Sequence, residues 1–312
     1  MRLLALGLVI GLVAFVAFYL VDRRTDPGPT LAQRTAAQTE EQVRKNPNDL
    51  GIRLRLAAAY LADNRTQDAL RQYDAVLAVS PENVVALMGK AGILRSSGDP
   101  SAAAALYQKV VDIRKDGEFA AADTDLERAF YSLGSTSNEL GRYAQAIAAL
   151  ESAVRIDRTD ADSWYELGVA QLRGGTAEQA VSAERNAVVF VPLEWADPYA
   201  VMEQAYTKLG KTANAAWAHA MIDLVAKRYP EARSHLQPLV SGPAAADASL
   251  AMGFVSEAQG DAAAALGWYR KALVLDPKNT SAASGVDRLG GASAAPAEAP
   301  STVVGSPAPG GS

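Results

Sequence analysis

The chain contains no cysteine. Disulfides, thiolate metal sites, cysteine nucleophiles and cysteine-linked lipid anchors are therefore excluded together. Histidine is nearly as scarce: His219 and His235 are the only two in 312 residues. They stand sixteen positions apart, so the one-turn spacing of paired metal ligands on a helix is missing. Each reads as a surface or packing residue, and neither a metal site nor a cofactor is expected. Charge of one sign is missing as well. Acids and bases are interspersed to a net −5, without the basic stripe of a nucleic-acid binder. No GxSxG elbow and no HExxH occurs. Ser, Asp and His show no spacing from which a triad could be read. The carboxylate pairs Asp123/Asp125 and Asp157/Asp160 lie near expected turns, where Asp caps helices. Together these absences point away from an enzyme.

Apolar residues are plentiful, at 49% of the chain, which is enough for a large core. Alanine dominates many stretches and favours closely packed helices. The run Leu3 to Val21 carries no charge over nineteen residues, close to the ~20 a helix needs to span hydrocarbon. It ends in Phe18-Tyr19-Leu20-Val21-Asp22-Arg23-Arg24, bulky and then charged. A cleaved signal peptide would end in small residues instead. Residues 1–24 thus read as a retained transmembrane anchor, and 25–30, "TDPGPT", as a short stiff linker, since Pro27 and Pro29 cannot continue a helix. Arg23, Arg24 and Arg34 outnumber Arg2 across the span, which leans towards a cytoplasmic body.

Beyond residue 50 the sequence repeats every 34 positions. Ala57, Tyr60, Ala69, Tyr73 and Val76 recur as Ala91, Leu94, Ala103, Tyr107 and Val110. Phe130-x-x-Leu133-Gly134 recurs as Trp164-x-x-Leu167-Gly168, followed by Ala146 and Ala180. A last block holds Met252-Gly253, Ala265, Tyr269, Ala272 and Pro277. Pro81, Pro192 and Pro277 each follow a small residue by 24 positions. This pattern resembles the tetratricopeptide repeat (TPR), a helix–turn–helix unit. The resemblance implies an all-α fold, a right-handed α-solenoid in which small residues let helices cross closely and tyrosines wedge between them. No unit buries its apolar face alone, so neighbours must stack.

The repeats map to 50–83, 84–117, 127–160, 161–194 and 246–279, within a solenoid spanning 31–289. Residues 31–45 form a leading helix and 280–289 a closing cap. Nine residues, 118–126, are inserted as a longer loop or extended helix. The irregular stretch 195–245 must hold three helices, about 197–209, 212–228 and 231–240. From residue 290 to 312, 19 of 23 residues are Gly, Ala, Ser or Pro, a composition expected to be disordered.

One short stretch mimics a nucleotide site. Gly210-Lys211-Thr212 ends like a P-loop, but the first glycine should fall at 205, which is Ala205. Gly141 precedes Ala146 by five residues and Gly260 precedes Ala265 by five, as Gly210 precedes Ala215. Gly210 is therefore the left-handed turn glycine between two repeat helices. At Glu203 a charged residue takes a crowded small-residue position, so that unit should pack more loosely.

TPR arrays commonly bind peptide segments along the face lined by each unit's first helix. Carried over by position, that face includes Arg128, Tyr131, Ser135 and Asn138, then Asp162, Tyr165 and Val169, then Asp197 and Gln204. Tyr131 and Tyr165, 34 apart, should stand side by side, either to grip a peptide or to seal the groove. Leu54, Ala58, Met88 and Gly92 make the same face apolar in the first two units, for an apolar partner or for cover by 31–45. The Lys/Asn clamp of chaperone-binding TPR domains is absent. The whole reads as a membrane-anchored, non-enzymatic scaffold for protein or peptide partners, without nucleic acid or small-molecule cofactor. The order of anchor, Asn46-Pro47-Asn48-Asp49 and repeats is similar to TPR subunits of bacterial cytochrome c maturation systems, which work outside the membrane. The alternative is a cytoplasmic assembly factor for envelope or translocon complexes. An enzyme using the groove, for instance through Gly210–Thr212, is the remaining alternative.

Overall fold

Repeats of small and aromatic residues fold as successive helix pairs. The computed structural model describes residues 12–16, 28–189 and 192–292. Among them every regular element is helical. The α-helices are α1 (Leu31–Lys45), α2 (Leu50–Ala62), α3 (Thr66–Val79), α4 (Val84–Ser96), α5 (Pro100–Arg114), α6 (Thr124–Glu139), α7 (Tyr143–Ile156), α8 (Ala161–Arg173), α9 (Ala177–Ala187), α10 (Asp197–Lys208), α11 (Thr212–Val225), α12 (Tyr229–Leu236), α13 (Ala245–Ala258), α14 (Ala262–Leu275) and α15 (Thr280–Ala292). Short 3-10 turns cover Ala120–Ala122 and Gln237–Leu239. The helices form two compact units, residues 1–136 and 137–312, divided within α6.

Helix starts are set by side-chain caps. Asp49, Asn83, Asp99, Asp160 and Asp261 each accept a backbone N–H from the first turn that follows, supplying an acceptor that the helix itself lacks there. Asp123 does the same for α6, taking the N–H groups of Asp125 and Leu126, while its other oxygen receives Arg114 Nε at 2.6 Å. Asp123 and Asp160 are thus capping groups, as their position near turns implied. Thr30 and Gln33 close a capping box at the start of α1.

Helix ends share one device. Gly98, Gly141, Gly175, Gly210 and Gly260 have φ between 68° and 93°. In each turn the next N–H reaches back to a carbonyl in the last helical turn: Arg142 to Ser137, Thr176 to Gln171, Lys211 to Tyr206 and Asp261 to Ser256, all within 2.9 Å. Asn64 and Lys227 hold the same left-handed conformation without glycine, at 60° and 59°.

In unit 1, α1 packs on α2, α2 pairs with α3, and α4 with α5. Ala57, Ala69, Ala91 and Ala103 have no exposed surface, and Tyr60, Tyr73 and Tyr107 are buried between helices. Leading helix α1 contributes Ala36 and Val43 to this core, and Glu40 accepts the Tyr60 hydroxyl at 2.8 Å. It covers the apolar face of α2 only in part, since Leu54 is half-buried and Ala58 exposed. The insertion at 118–126 is a turn, a 3-10 turn and the first residues of α6, and it leaves Phe119 exposed.

In unit 2, α8–α9, α10–α11 and α13–α14 are the pairs. Gly253 shows why a small residue is needed there: a Cβ on it would lie 2.2 Å from the Tyr269 ring. Gly285 lies against the other side of that ring, with a Cβ-to-ring distance of 2.5 Å. Tyr269 is fully enclosed, and its hydroxyl donates to Glu257, which also receives Arg288. The three helices expected in 195–245 are α10, α11 and α12, the last continued by a 3-10 turn. The cap helix α15 runs to Ala292, three residues past its expected end. Of the proposed membrane span 3–21, only 12–16 is described, as helix; the rest of the span and the tail from 293 lie outside the described residues. Among the described residues no helix is long and apolar enough to cross a membrane.

Candidate functional site

The residues expected on the binding face fall in both units. In unit 1, Arg128 is exposed and pairs with Asp125 at 3.3 Å. Tyr131 is partly exposed on the same helix. Ser135 departs from expectation: it is buried, and its hydroxyl accepts from Arg95 at 3.0 Å, so it holds α6 to α4 rather than facing a ligand. Tyr131 belongs to unit 1 and Tyr165 to unit 2.

Unit 2 brings most of the others together. Asn138 donates to the backbone and side chain of Glu166, at 2.9 and 2.7 Å. Tyr165 meets Trp195, ring centroids 4.7 Å apart and planes tilted by 54°. The Trp195 indole donates to Asp197 at 3.1 Å. Asp162 and Asp197 are exposed, Val169 is half-buried and Gln204 exposed. Tyr165 and Val169 also pack on the core formed by Leu172, Ala177, Ala180, Val201 and Ala205. Tyr165 therefore seals the core on one side and offers the Trp195 stack on the other. Trp195 lies just before α10, outside the helical repeat, which is why repeat spacing missed it.

The electrostatics of this patch are acidic. Partial burial, then Asp160 and Glu166, push the Asp162 carboxyl up. Burial raises the Tyr165 phenol, helped by Asp197, Glu184 and Glu166. Glu184, on α9 beneath the patch, has no exposed surface, and neither carboxylate oxygen has a hydrogen-bond partner. Burial first, then Glu166 and Asp197, push it up to about 10. It lies across Gly168, where a Cβ would come within 2.2 Å of Oε1.

A second feature of unit 2 was not legible in the repeats. A cleft of about 250 Å³ is bordered by Arg185, Tyr199, Trp217, Asp247 and Phe254. Arg185 bridges to Asp247 at 2.7 Å, donates to the Tyr206 hydroxyl at 3.1 Å and lies over the Trp217 ring. Its lining comes from five helices distant in sequence, so no local pattern announces it.

Gly210 is a turn glycine, with φ 68° and open space around it. Lys211 directly precedes α11 and no strand leads in; the P-loop likeness is a coincidence of letters. At Glu203 the helix pair still packs closely, with Met202, Ala205, Ala218 and Ala220 fully buried. Only Ala215, whose counterparts Ala69, Ala103, Ala146, Ala180 and Ala265 are fully buried, keeps some exposed surface, and Glu203 faces His219. The two histidines, sixteen positions apart in sequence and without one-turn ligand spacing, nevertheless meet in the fold. Packing of α12 back on α11 brings His219 and His235 to a centroid separation of 5.2 Å.

Comparison with known proteins agrees with this architecture. Tetratricopeptide-repeat family models match residues 54–118 and 213–280, and a TPR repeat model matches 134–175, together more than half of the chain. This chain is a TPR protein. A curated relative, the uncharacterized protein y4yS of Sinorhizobium fredii, is 31% identical over 90 residues, or 29% of this chain. The matched region spans half the length of that relative. Among solved structures, the MamA protein superposes with a TM-score of 0.52 at 22% identity, over 58% of this chain and 94% of its own. The C-terminal part of a TPR repeat-containing protein from Cytophaga hutchinsonii gives 0.52 at 19% identity, over 82% and 94%. At these identities the likeness is one of fold.

Proposed function

We propose that this TPR protein is a non-enzymatic scaffold, anchored in a membrane by residues 3–21, that holds an extended protein segment carrying basic and aromatic or apolar side chains. The observation that carries the binding half is the Tyr165–Trp195 stack framed by Asp162, Glu166 and Asp197. A stacked aromatic pair offers apolar area at small entropic cost, and flanking carboxylates select cationic side chains. The family's habit of binding protein segments on this face supports the same reading.

The anchoring half rests on the uncharged run Leu3–Val21. Two placements of the body follow. The sequence resemblance to TPR subunits of cytochrome c maturation systems supports a body outside the membrane, holding apocytochrome for haem ligation. The excess of Arg23, Arg24 and Arg34 over Arg2 supports a cytoplasmic body instead, as an assembly factor for envelope or translocon complexes. A reporter fused to the C-terminus and active on one side only separates the two. For the binding face, crosslinking pull-down is compared between wild type, the Tyr165→Ala/Trp195→Ala variant and the Asp162→Asn/Asp197→Asn variant. Loss of the same partners in both variants is the expected outcome. Equal recovery in all three rejects the face as the binding surface.

A further inference from the structure

The chain's two imidazoles converge, although they come from different helices. His219 and Asp223 are one turn apart on α11, and His235 reaches them from α12. One ligand atom from each of the three lies within 4.8 Å of the other two. Both histidines keep about half of their side-chain surface exposed, so an ion has access from solvent, while Asp223 is buried beneath them.

Each imidazole already faces a carboxylate. His235 Nδ1 sits 2.8 Å from Asp223 Oδ2, and His219 Nδ1 sits 3.3 Å from Glu203 Oε1. Glu203, facing His219 Nδ1, fixes that ring's tautomer and leaves Nε2 for a metal, whereas His235 Nδ1 itself points at Asp223 Oδ2, so an ion would take the place of the proton between those two atoms. Asp223 is itself held in place, because its second oxygen receives Nε and Nη2 of Arg228 at 3.0 and 2.7 Å. Burial pushes the Asp223 carboxyl up, but Arg228 and His235 outweigh it and hold it below its ordinary value. Two nitrogens and a charged oxygen are a donor set for the later first-row dications, whereas magnesium and calcium favour oxygen alone. Tetrahedral zinc, with bonds of about 2.0–2.1 Å, places its ligand atoms about 3.3 Å apart. Closing from 4.8 Å asks only for small rotations of two half-exposed rings.

We propose that His219, Asp223 and His235 form a binding site for one transition-metal dication of the zinc, copper or nickel class, with Glu203 orienting His219. The site would tie α12 to α11 beside Glu203. It stands apart from the peptide-binding face and does not depend on that function.

The test is calorimetric titration of Zn2+ into the full-length, tag-free, chelator-treated chain in detergent. One zinc per chain is expected, with a rise in thermal midpoint on saturation. His219→Ala and His235→Ala should each weaken binding at least tenfold, and the double variant should lose the zinc-induced stabilisation. Glu203→Gln should weaken binding less and keep the stoichiometry. Circular dichroism and the metal-free urea midpoint show that the variants are folded. Mg2+ should give no saturable heat. Absence of saturable zinc binding, undiminished binding in the double histidine variant, or one zinc per two chains with dimerisation would each overturn the site.

Discussion

Replacing Glu184 with glutamine should make the protein more stable at neutral pH, by an amount that depends on pH in a defined way. Glu184 is fully enclosed, lies across Gly168 and has no hydrogen-bond partner for either oxygen. Burial and the nearby acids Glu166 and Asp197 push its carboxyl up to about 10 from an ordinary 4.5. It is therefore protonated in the folded chain at pH 7 and ionised in the unfolded one. For an acid shifted upward, the folded state loses nothing below the unfolded value. The penalty then grows as pH rises from 4.5 towards 10. At about 1.36 kcal/mol per pH unit, the interval from 4.5 to 7 gives a cost of about 3 kcal/mol. Glutamine keeps the shape, leaves a similar number of unpaired polar atoms and cannot ionise. Glu184→Gln should match wild type near pH 4.5 and exceed it by about 3 kcal/mol at pH 7, with the gap widening at pH 8. Urea unfolding of both proteins at pH 5, 6, 7 and 8 measures this difference. A gap that stays flat across the series would refute the enclosure of a protonated Glu184.

Two further substitutions test the packing and the turns. Gly253→Ala places a methyl 2.2 Å from the Tyr269 ring, which Gly285 prevents from backing away, so overpacking should cost about 1–3 kcal/mol in urea unfolding. Gly210→Ala meets no neighbour but must hold φ at 68°. It should cost only about 1–2 kcal/mol, and loss of ATP binding on this change, had any been measured in wild type, would contradict its assignment as a helix-ending turn.

Much of the fold could be read from the letters because a repeat writes its packing locally. Gly168, Ala180, Gly253 and Ala265 recur at fixed offsets since two helices cross at the same point in every unit, and the residue there must be small. Gly141, Gly210 and Gly260 recur because each helix ends in the same left-handed turn. Those constraints involve residues within one repeat, so a 34-residue period exposes them. The arrangement of the proposed binding face was legible only in part. Asp162, Tyr165 and Asp197 could be placed by register, but Ser135 fell to an Arg95 contact across a helix pair, and Trp195 entered from a connecting segment.

The sequence by itself determined the repeat class, the number of helices in the irregular stretch 195–245 and the role of Gly210, because each follows from short-range spacing and backbone geometry. Tertiary structure alone decided three things. It enclosed Glu184 without a partner, gathered Arg185, Trp217 and Asp247 around one cleft, and joined His219 to His235 across sixteen residues. Those juxtapositions depend on how one helix pair seats on the next, an arrangement fixed by the summed packing of many side chains and written in no single stretch of the chain.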